Sequence, residues 1–193
     1  YAVQLLVENA NGCRDSVAQT ITVYPLPIAD FNITNTDACY APVTITTTNL
    51  TTGAVGYSWD FDNGHVSPLT NPSNVYQNPG TYTIELTATS IHGCVDVATQ
   101  DFTVYPLPEA AFTLPADTAC VGEPLTFESL GNYADSVVWD FGNGDVLVGD
   151  SVVYDYPAIG NYSITIMAYG AGGCGDTLSV NGALVINPSP TAD

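Results

Sequence analysis

Oxygen-bearing side chains gather at two places in this 193-residue chain: Asp60, Asp62 and Asn63 in one, Asp140, Asn143 and Asp145 in the other. Carboxylates this close could ligate a hard cation such as calcium, which takes roughly six to eight oxygens. The two clusters differ in spacing, however, and neither runs on into the acidic loop pattern of an EF-hand. Asp60, Asp62, Asp140 and Asp145 therefore stand as weak metal candidates, with calcium as the ion, against the ordinary role of such residues in turns. His65 and His92 fall on predicted turns at non-equivalent positions. No nucleophile or paired carboxylate recurs beside them, so no enzyme is expected.

Cysteine is the other chemistry-bearing type. The five cysteines lack the close spacing of a zinc site, which favours disulfides and an oxidising, extracytoplasmic setting. Pairing Cys39 with Cys94 and Cys120 with Cys174 keeps each bridge inside one repeat and leaves Cys13 to pair outside the chain. The alternatives are Cys13 with Cys39 and Cys94 with Cys120, or bridges between more distant loops. Each needs Cα atoms within about 7 Å.

The elements that must position these residues come from a repeat. Cys39, Trp59, Gly80, Tyr82, Cys94 and Pro108 recur as Cys120, Trp139, Gly160, Tyr162, Cys174 and Pro190, and a shift of 81 residues lays residues 1–27 on the stretch ending at Pro108. Self-similarity at a fixed period is the signature of an array of folding modules. The expected division is residues 1–27 as the last strands of an incomplete module, 28–108 and 109–190 as complete modules, and 191–193 as the start of a further linker. The strands of 1–27 would be completed from elsewhere, on the same chain or on another.

Val43–Thr46, Tyr82–Ala88 and Tyr162–Ile166 alternate apolar with polar residues at period 2, and no amphipathic helix competes with them. Asn63-Gly64 and Asn143-Gly144 are expected to supply the positive φ of tight hairpins. Short strands with frequent turns predict an all-β sandwich. Tyr24-Pro25-Leu26-Pro27, Tyr105-Pro106-Leu107-Pro108 and Asn187-Pro188-Ser189-Pro190 read as short, stiff joints.

A formal net charge of −19 with Lys+Arg of 1 leaves no basic patch for nucleic acid or an anionic membrane, while 46% hydrophobic residues exclude a disordered acidic tail. No apolar run is long enough to span a bilayer, so direct membrane insertion is not expected. Salt or divalent cations outside a cell would screen the self-repulsion.

Trp59-Asp60-Phe61-Asp62-Asn63-Gly64 followed by Tyr76 to Tyr82, and Trp139-Asp140-Phe141-Gly142-Asn143-Gly144 followed by Tyr156 to Tyr162, resemble the PKD (polycystic kidney disease) domain pattern. The resemblance implies a seven-stranded immunoglobulin-like sandwich serving as an extracellular spacer or adhesion module. Asp62 departs from it, standing where the family usually has glycine, as do Asn63 and Asn143, where it usually has aspartate. Trp59, Phe61, Tyr76, Tyr82, Trp139, Phe141, Tyr156 and Tyr162 are the expected core motif. The Asn-Gly-Cys-x-Asp hairpins and Tyr-Pro-Leu-Pro joints resemble giant cell-surface adhesion proteins of Bacteroidota. By the same resemblance Ser16, Thr118, Ser136, Ser151 and Thr177 match sites of O-glycan attachment.

The expected architecture is thus a linear array of tandem immunoglobulin-like (PKD) β-sandwiches from the stalk of a secreted fibre or adhesin. Its partners would be neighbouring repeats of the same or an associated chain. The alternative is a module that binds glycans, proteins or cell surfaces through loops presenting Tyr40, Tyr57 or Tyr133.

Overall fold

A computed structural model describes residues 1–34 and 37–190. These form two compact units, one of Tyr1–Thr34, Thr46–Asn74 and Thr83–Asp101, the other of 37–45, Val75–Tyr82 and 102–190. Regular structure is nearly all strand, as the period-2 patterning requires.

Strands β1 (Ala2–Glu8) and β2 (Arg14–Thr20) form an antiparallel hairpin in continuous register from Ala2 opposite Thr20 to Glu8 opposite Arg14. The sole strong cation, Arg14, pairs with Glu8 at 2.7 Å on an exposed surface.

The following strands are β3 (Phe31–Ile33), β4 (Asp37–Ala38), β5 (Val43–Asn49), β6 (Gly56–Asp60), β7 (Val66–Ser67), β8 (Ser73–Tyr76), β9 (Gly80–Thr89) and β10 (Val95–Val104). They make a five-stranded sheet in the order β4-β10-β9-β6-β7 and a three-stranded sheet in the order β3-β5-β8. Inward residues Phe31, Ile45, Trp59, Phe61, Tyr76, Ile84, Leu86, Ala88, Phe102 and Val104 are buried, in step with the alternation along each strand.

The last strands repeat this plan as β11 (Thr118–Cys120), β12 (Leu125–Glu128), β13 (Ser136–Asp140), β14 (Val146–Val148), β15 (Ser151–Tyr154), β16 (Gly160–Tyr169) and β17 (Gly175–Asn187). Their sheets run β11-β17-β16-β13-β14 and β12-β15. The core here holds Phe127, Trp139, Phe141, Tyr156, Ile164, Ile166 and Leu184. Among the described residues this second sandwich has the seven strands that the family resemblance implies, whereas the first has eight. The difference is local: Phe31–Ile33 pairs with β5 over three residues, while its counterpart Phe112 makes only an isolated bridge to Ser129.

Two turns differ from the sequence expectation. Asn63 and Asn143 do not carry the positive φ of the hairpins. It falls on their neighbours, Asp62 (φ 57°) and Gly64 (83°) in one, Gly142 (76°) and Gly144 (97°) in the other. The asparagine side chains act instead as acceptors, Asn63 Oδ1 from the His65 N–H and Asn143 Oδ1 from the Asp145 N–H. At Gly142 a Cβ would run into the Ser163 carbonyl oxygen, so glycine is required for space as well as for φ. Asp62 tolerates the same conformation, and its carboxylate accepts the Thr83 N–H at 3.1 Å.

Gly142→Ala should therefore destabilise the chain by about 1–3 kcal/mol, against a smaller effect for Asp62→Gly. Chemical denaturation followed by circular dichroism measures both, and equal costs would contradict the steric account.

Candidate functional site

The two tryptophans lie at equivalent strand positions, each fully buried. The Trp59 indole N–H donates to the Leu69 carbonyl at 2.9 Å and the Trp139 indole to the Gly149 carbonyl at 2.9 Å. Aromatic neighbours cross them edge-on: Phe31 lies 5.0 Å from Trp59 and Phe112 lies 5.4 Å from Trp139. Phe61, Tyr76, Phe141 and Tyr156 are likewise buried, which leaves none of these rings as a platform for sugar stacking.

Tyr82 and Tyr162 are half-buried, their rings against Tyr76 (4.4 Å) and Tyr156 (4.3 Å). Each hydroxyl donates to the carbonyl four residues upstream, Asn78 at 2.9 Å and Ala158 at 3.1 Å. The glycine two residues before each tyrosine lets the ring lie flat on the chain, since a Cβ at Gly80 or Gly160 would press on it at 3.4 or 3.1 Å.

The acidic clusters serve their own turns. Asp60 accepts the Asp62 N–H at 2.9 Å, and Asp140 accepts the Gly142 N–H at 2.8 Å. Asp145 accepts from Asn143 Nδ2 and from the Tyr154 hydroxyl. Among the described residues no three His, Cys, Asp or Glu side chains are placed to share an ion. His65 is exposed at its hairpin, and exposed His92 stacks on Tyr24 with ring centroids 3.5 Å apart. Of the glycan-site candidates, Ser16, Thr118, Ser151 and Thr177 are exposed, while Ser136 on β13 is half-buried.

The disulfide expectation is corrected by the structure. Cys39 is bonded to Cys174, with Cα atoms 5.2 Å apart, and Cys13, Cys94 and Cys120 are free thiols. A Cys39–Cys94 bridge fails because Cys39 follows β4, where Ala38 pairs with Val104 at the far end of β10, whereas Cys94 opens that strand. Ten residues of extended chain separate the two ends by about 30 Å. The same argument parts Cys120, opposite Asn187, from Cys174.

A role the sequence reading missed belongs to the acid two residues after the hairpin cysteine. Asp96 accepts the Ala29 N–H at 2.8 Å and Asp176 accepts the Ala110 N–H at 2.9 Å. The recurring Gly-Cys-x-Asp pattern held the signal: its acid closes the first residues of the repeat onto the last strand.

Within the second unit, Tyr40, Ala41, Gln77, Pro79, Pro106, Leu107 and Tyr133 line an open groove of about 660 Å³. Tyr40 and Tyr133 are exposed, and Tyr133 is held at φ 61°, rare for an aromatic residue. Tyr57 is half-buried on β6 and does not join them.

Two outcomes are expected. Asp176→Ala, which strips a half-buried amide of its acceptor, should cost about 1–3 kcal/mol in denaturation, with Asp96→Ala similar. Burial, then the Asp145 carboxylate, holds the Tyr154 phenol above its ordinary value, and burial with the phenols of Tyr154 and Tyr162 raises Tyr156 further. Both are neutral when protonated, so the folded state keeps their protons longer than the unfolded chain does. Their contribution is complete below about pH 10 and is lost as pH rises above it. In Tyr154→Phe the alkaline fall in stability should be shallower; an unchanged pH profile would remove Tyr154 from this account.

A PKD domain family model matches residues 23–104. The pre-pro-metalloprotease PrtV of Vibrio cholerae is 26% identical over 130 residues, 65% of this chain but only 14% of PrtV's length. The PKD1 domain of Vibrio anguillarum Epp shares 29% identity, covering 42% of this chain and 96% of that domain, with a TM-score of 0.38. The titin I-band fragment I67-I69, 16% identical with a TM-score of 0.53, covers 86% of this chain and 67% of that one and shows the same fold. The Trp-Asp-Phe hairpin and the tyrosine corner of the stretch 23–104 accompany its match to the PKD domain family, and the chain as a whole has an immunoglobulin-like β-sandwich fold.

Proposed function

We propose that this chain is a non-catalytic spacer segment of a long extracellular protein, built from modules at 28–108 and 109–190 with 1–27 belonging to a third. One observation carries the reading: the aromatic and acidic residues of the repeat motifs are spent on holding the fold. Both indoles, the hydroxyls of Tyr82 and Tyr162 and the carboxylates of Asp60, Asp62, Asp96, Asp140, Asp145 and Asp176 hydrogen-bond inside the chain. No helix of the described residues is long and apolar enough to cross a membrane. The similarity to the pre-pro-metalloprotease PrtV of Vibrio cholerae supports an extracellular place, and the charge of −19 suits neighbours other than nucleic acid. Neighbouring repeats are the proposed partners, and Ser16, Thr118, Ser136, Ser151 and Thr177 the proposed carriers of O-glycans.

A second reading, loop-mediated binding of glycans or proteins, is favoured by the groove that brings Tyr40 and Tyr133 together. Exposed aromatic rings of this kind stack on sugars.

Two measurements separate the readings. Pulling the chain by its ends should give force-resisting unfolding steps, and reduction of Cys39–Cys174, 135 residues apart, should release roughly 400–500 Å more contour length. Extension without resistance would refute the spacer reading. Glycan-array binding at low micromolar affinity, lost in Tyr40→Ala and Tyr133→Ala, would establish the second.

A further inference from the structure

The bonded pair and the free thiols occupy the same two kinds of position. One kind is the hairpin cysteine. Asn9 N–H donates to the Cys13 carbonyl at 2.9 Å, Ser90 to Cys94 at 2.8 Å and Gly170 to Cys174 at 2.8 Å, so each cysteine is gripped from four residues upstream. The glycine before it has positive φ in all three turns: Gly12 (80°), Gly93 (80°) and Gly173 (75°). The other kind is the cysteine at the end of the short parallel strand, just past β4 for Cys39 and the last residue of β11 for Cys120. Cys39 follows Ala38, which pairs with buried Val104, and Cys120 follows Ala119, which pairs with buried Ile186.

Cys39 belongs to one copy of the repeat and Cys174 to the next, so the observed bridge runs from a parallel-strand cysteine to the hairpin cysteine one repeat later. By that rule Cys120 requires the hairpin of a following repeat. Cys94 and Cys13 each require the parallel-strand cysteine of a preceding one. The rule also explains why Cys94 and Cys120 do not pair with each other: they are one of each kind, but here the hairpin cysteine precedes the parallel-strand cysteine, the reverse of the observed order. Cys94 and Cys120 are half-exposed and Cys13 is exposed, whereas bonded Cys174 is 1% exposed.

We propose that Cys13, Cys94 and Cys120 are halves of the same staggered bridge, each taking as its partner a cysteine of a further copy of this repeat. Cys120 joins a hairpin cysteine, and Cys94 and Cys13 join parallel-strand cysteines. In forming each bridge two thiols give up two protons and an electron pair to a disulfide oxidant. The protein S–S bond forms as the oxidant's own S–S bond breaks and leaves as two thiols. The inference stands on repeat equivalence and the observed bridge rather than on the spacer reading, so its failure would leave that reading intact.

The test extends the full chain after Pro190 with a second copy of residues 109–190 and refolds it in oxidised and reduced glutathione. It is alkylated without reduction and cleaved at acidic residues, since Lys+Arg is 1. The expected result is a Cys39–Cys174 peptide pair, a second pair joining Cys120 to the hairpin cysteine of the appended copy, and two fewer alkylated thiols than a single bridge leaves. Cys120 alkylated while Cys39–Cys174 is closed, or Cys120 joined to Cys94, would overturn the proposal. Should the extended chain not fold, the parent protein from its source, mapped without reduction, decides: Cys13, Cys94 and Cys120 all bridged supports the rule, and alkylation of Cys94 or Cys120 refutes it.

Discussion

Each sandwich is organised by one polar atom inside an apolar core, the indole N–H of its tryptophan. A buried donor without an acceptor costs about 1–3 kcal/mol, so a carbonyl must be brought to it. In both copies that carbonyl lies ten residues downstream, at Leu69 for Trp59 and Gly149 for Trp139. The chain between must turn through the acidic hairpin and return. The hairpin's length, its glycines and its side-chain acceptors follow from that requirement. In both copies the aspartate after the tryptophan accepts the first amide of the turn, and the asparagine holds the amide at its end.

With Lys+Arg of 1 against Asp+Glu of 20, ion pairing cannot hold this fold. The chain uses carboxylates differently, as acceptors for backbone amides. Asp96 and Asp176 fasten the first residues of each repeat, and Asp62 replaces with one hydrogen bond the close approach that Gly142 makes by lacking a side chain. Hydrogen bonds to ionised acceptors are about twice as strong as neutral ones. They also satisfy charges that would otherwise add only repulsion.

The strands and the core were legible because alternation and burial coincide: Ile84, Leu86 and Ala88 are apolar, evenly spaced and buried. The same pattern at Val3, Leu5 and Val7 gives a shorter hairpin in continuous register whose apolar face is exposed. Periodicity therefore specifies strand and register, while burial depends on what the rest of a sandwich supplies. The positive φ at Asp62 and Gly142 was assigned one residue late, since Asn-Gly is itself a turn signal. The side-chain set of Tyr154, Asn143 and Asp145 was illegible because it joins two strands through a packing contact, Phe141 stacked on Tyr154 at 4.0 Å.

The disulfide register was illegible for a more instructive reason. A reading confined to one repeat assumes that each module closes on itself, which would place bridges between cysteines about one strand pair apart. The parallel strand forbids this, because it carries the first cysteine to the end of the last strand, the pole opposite the hairpin cysteine of the same repeat. A cysteine so placed must look beyond its own repeat for a partner. The short parallel pairing of two or three residues thus determines covalent connectivity over a separation of 135 residues, although it contributes little buried area itself.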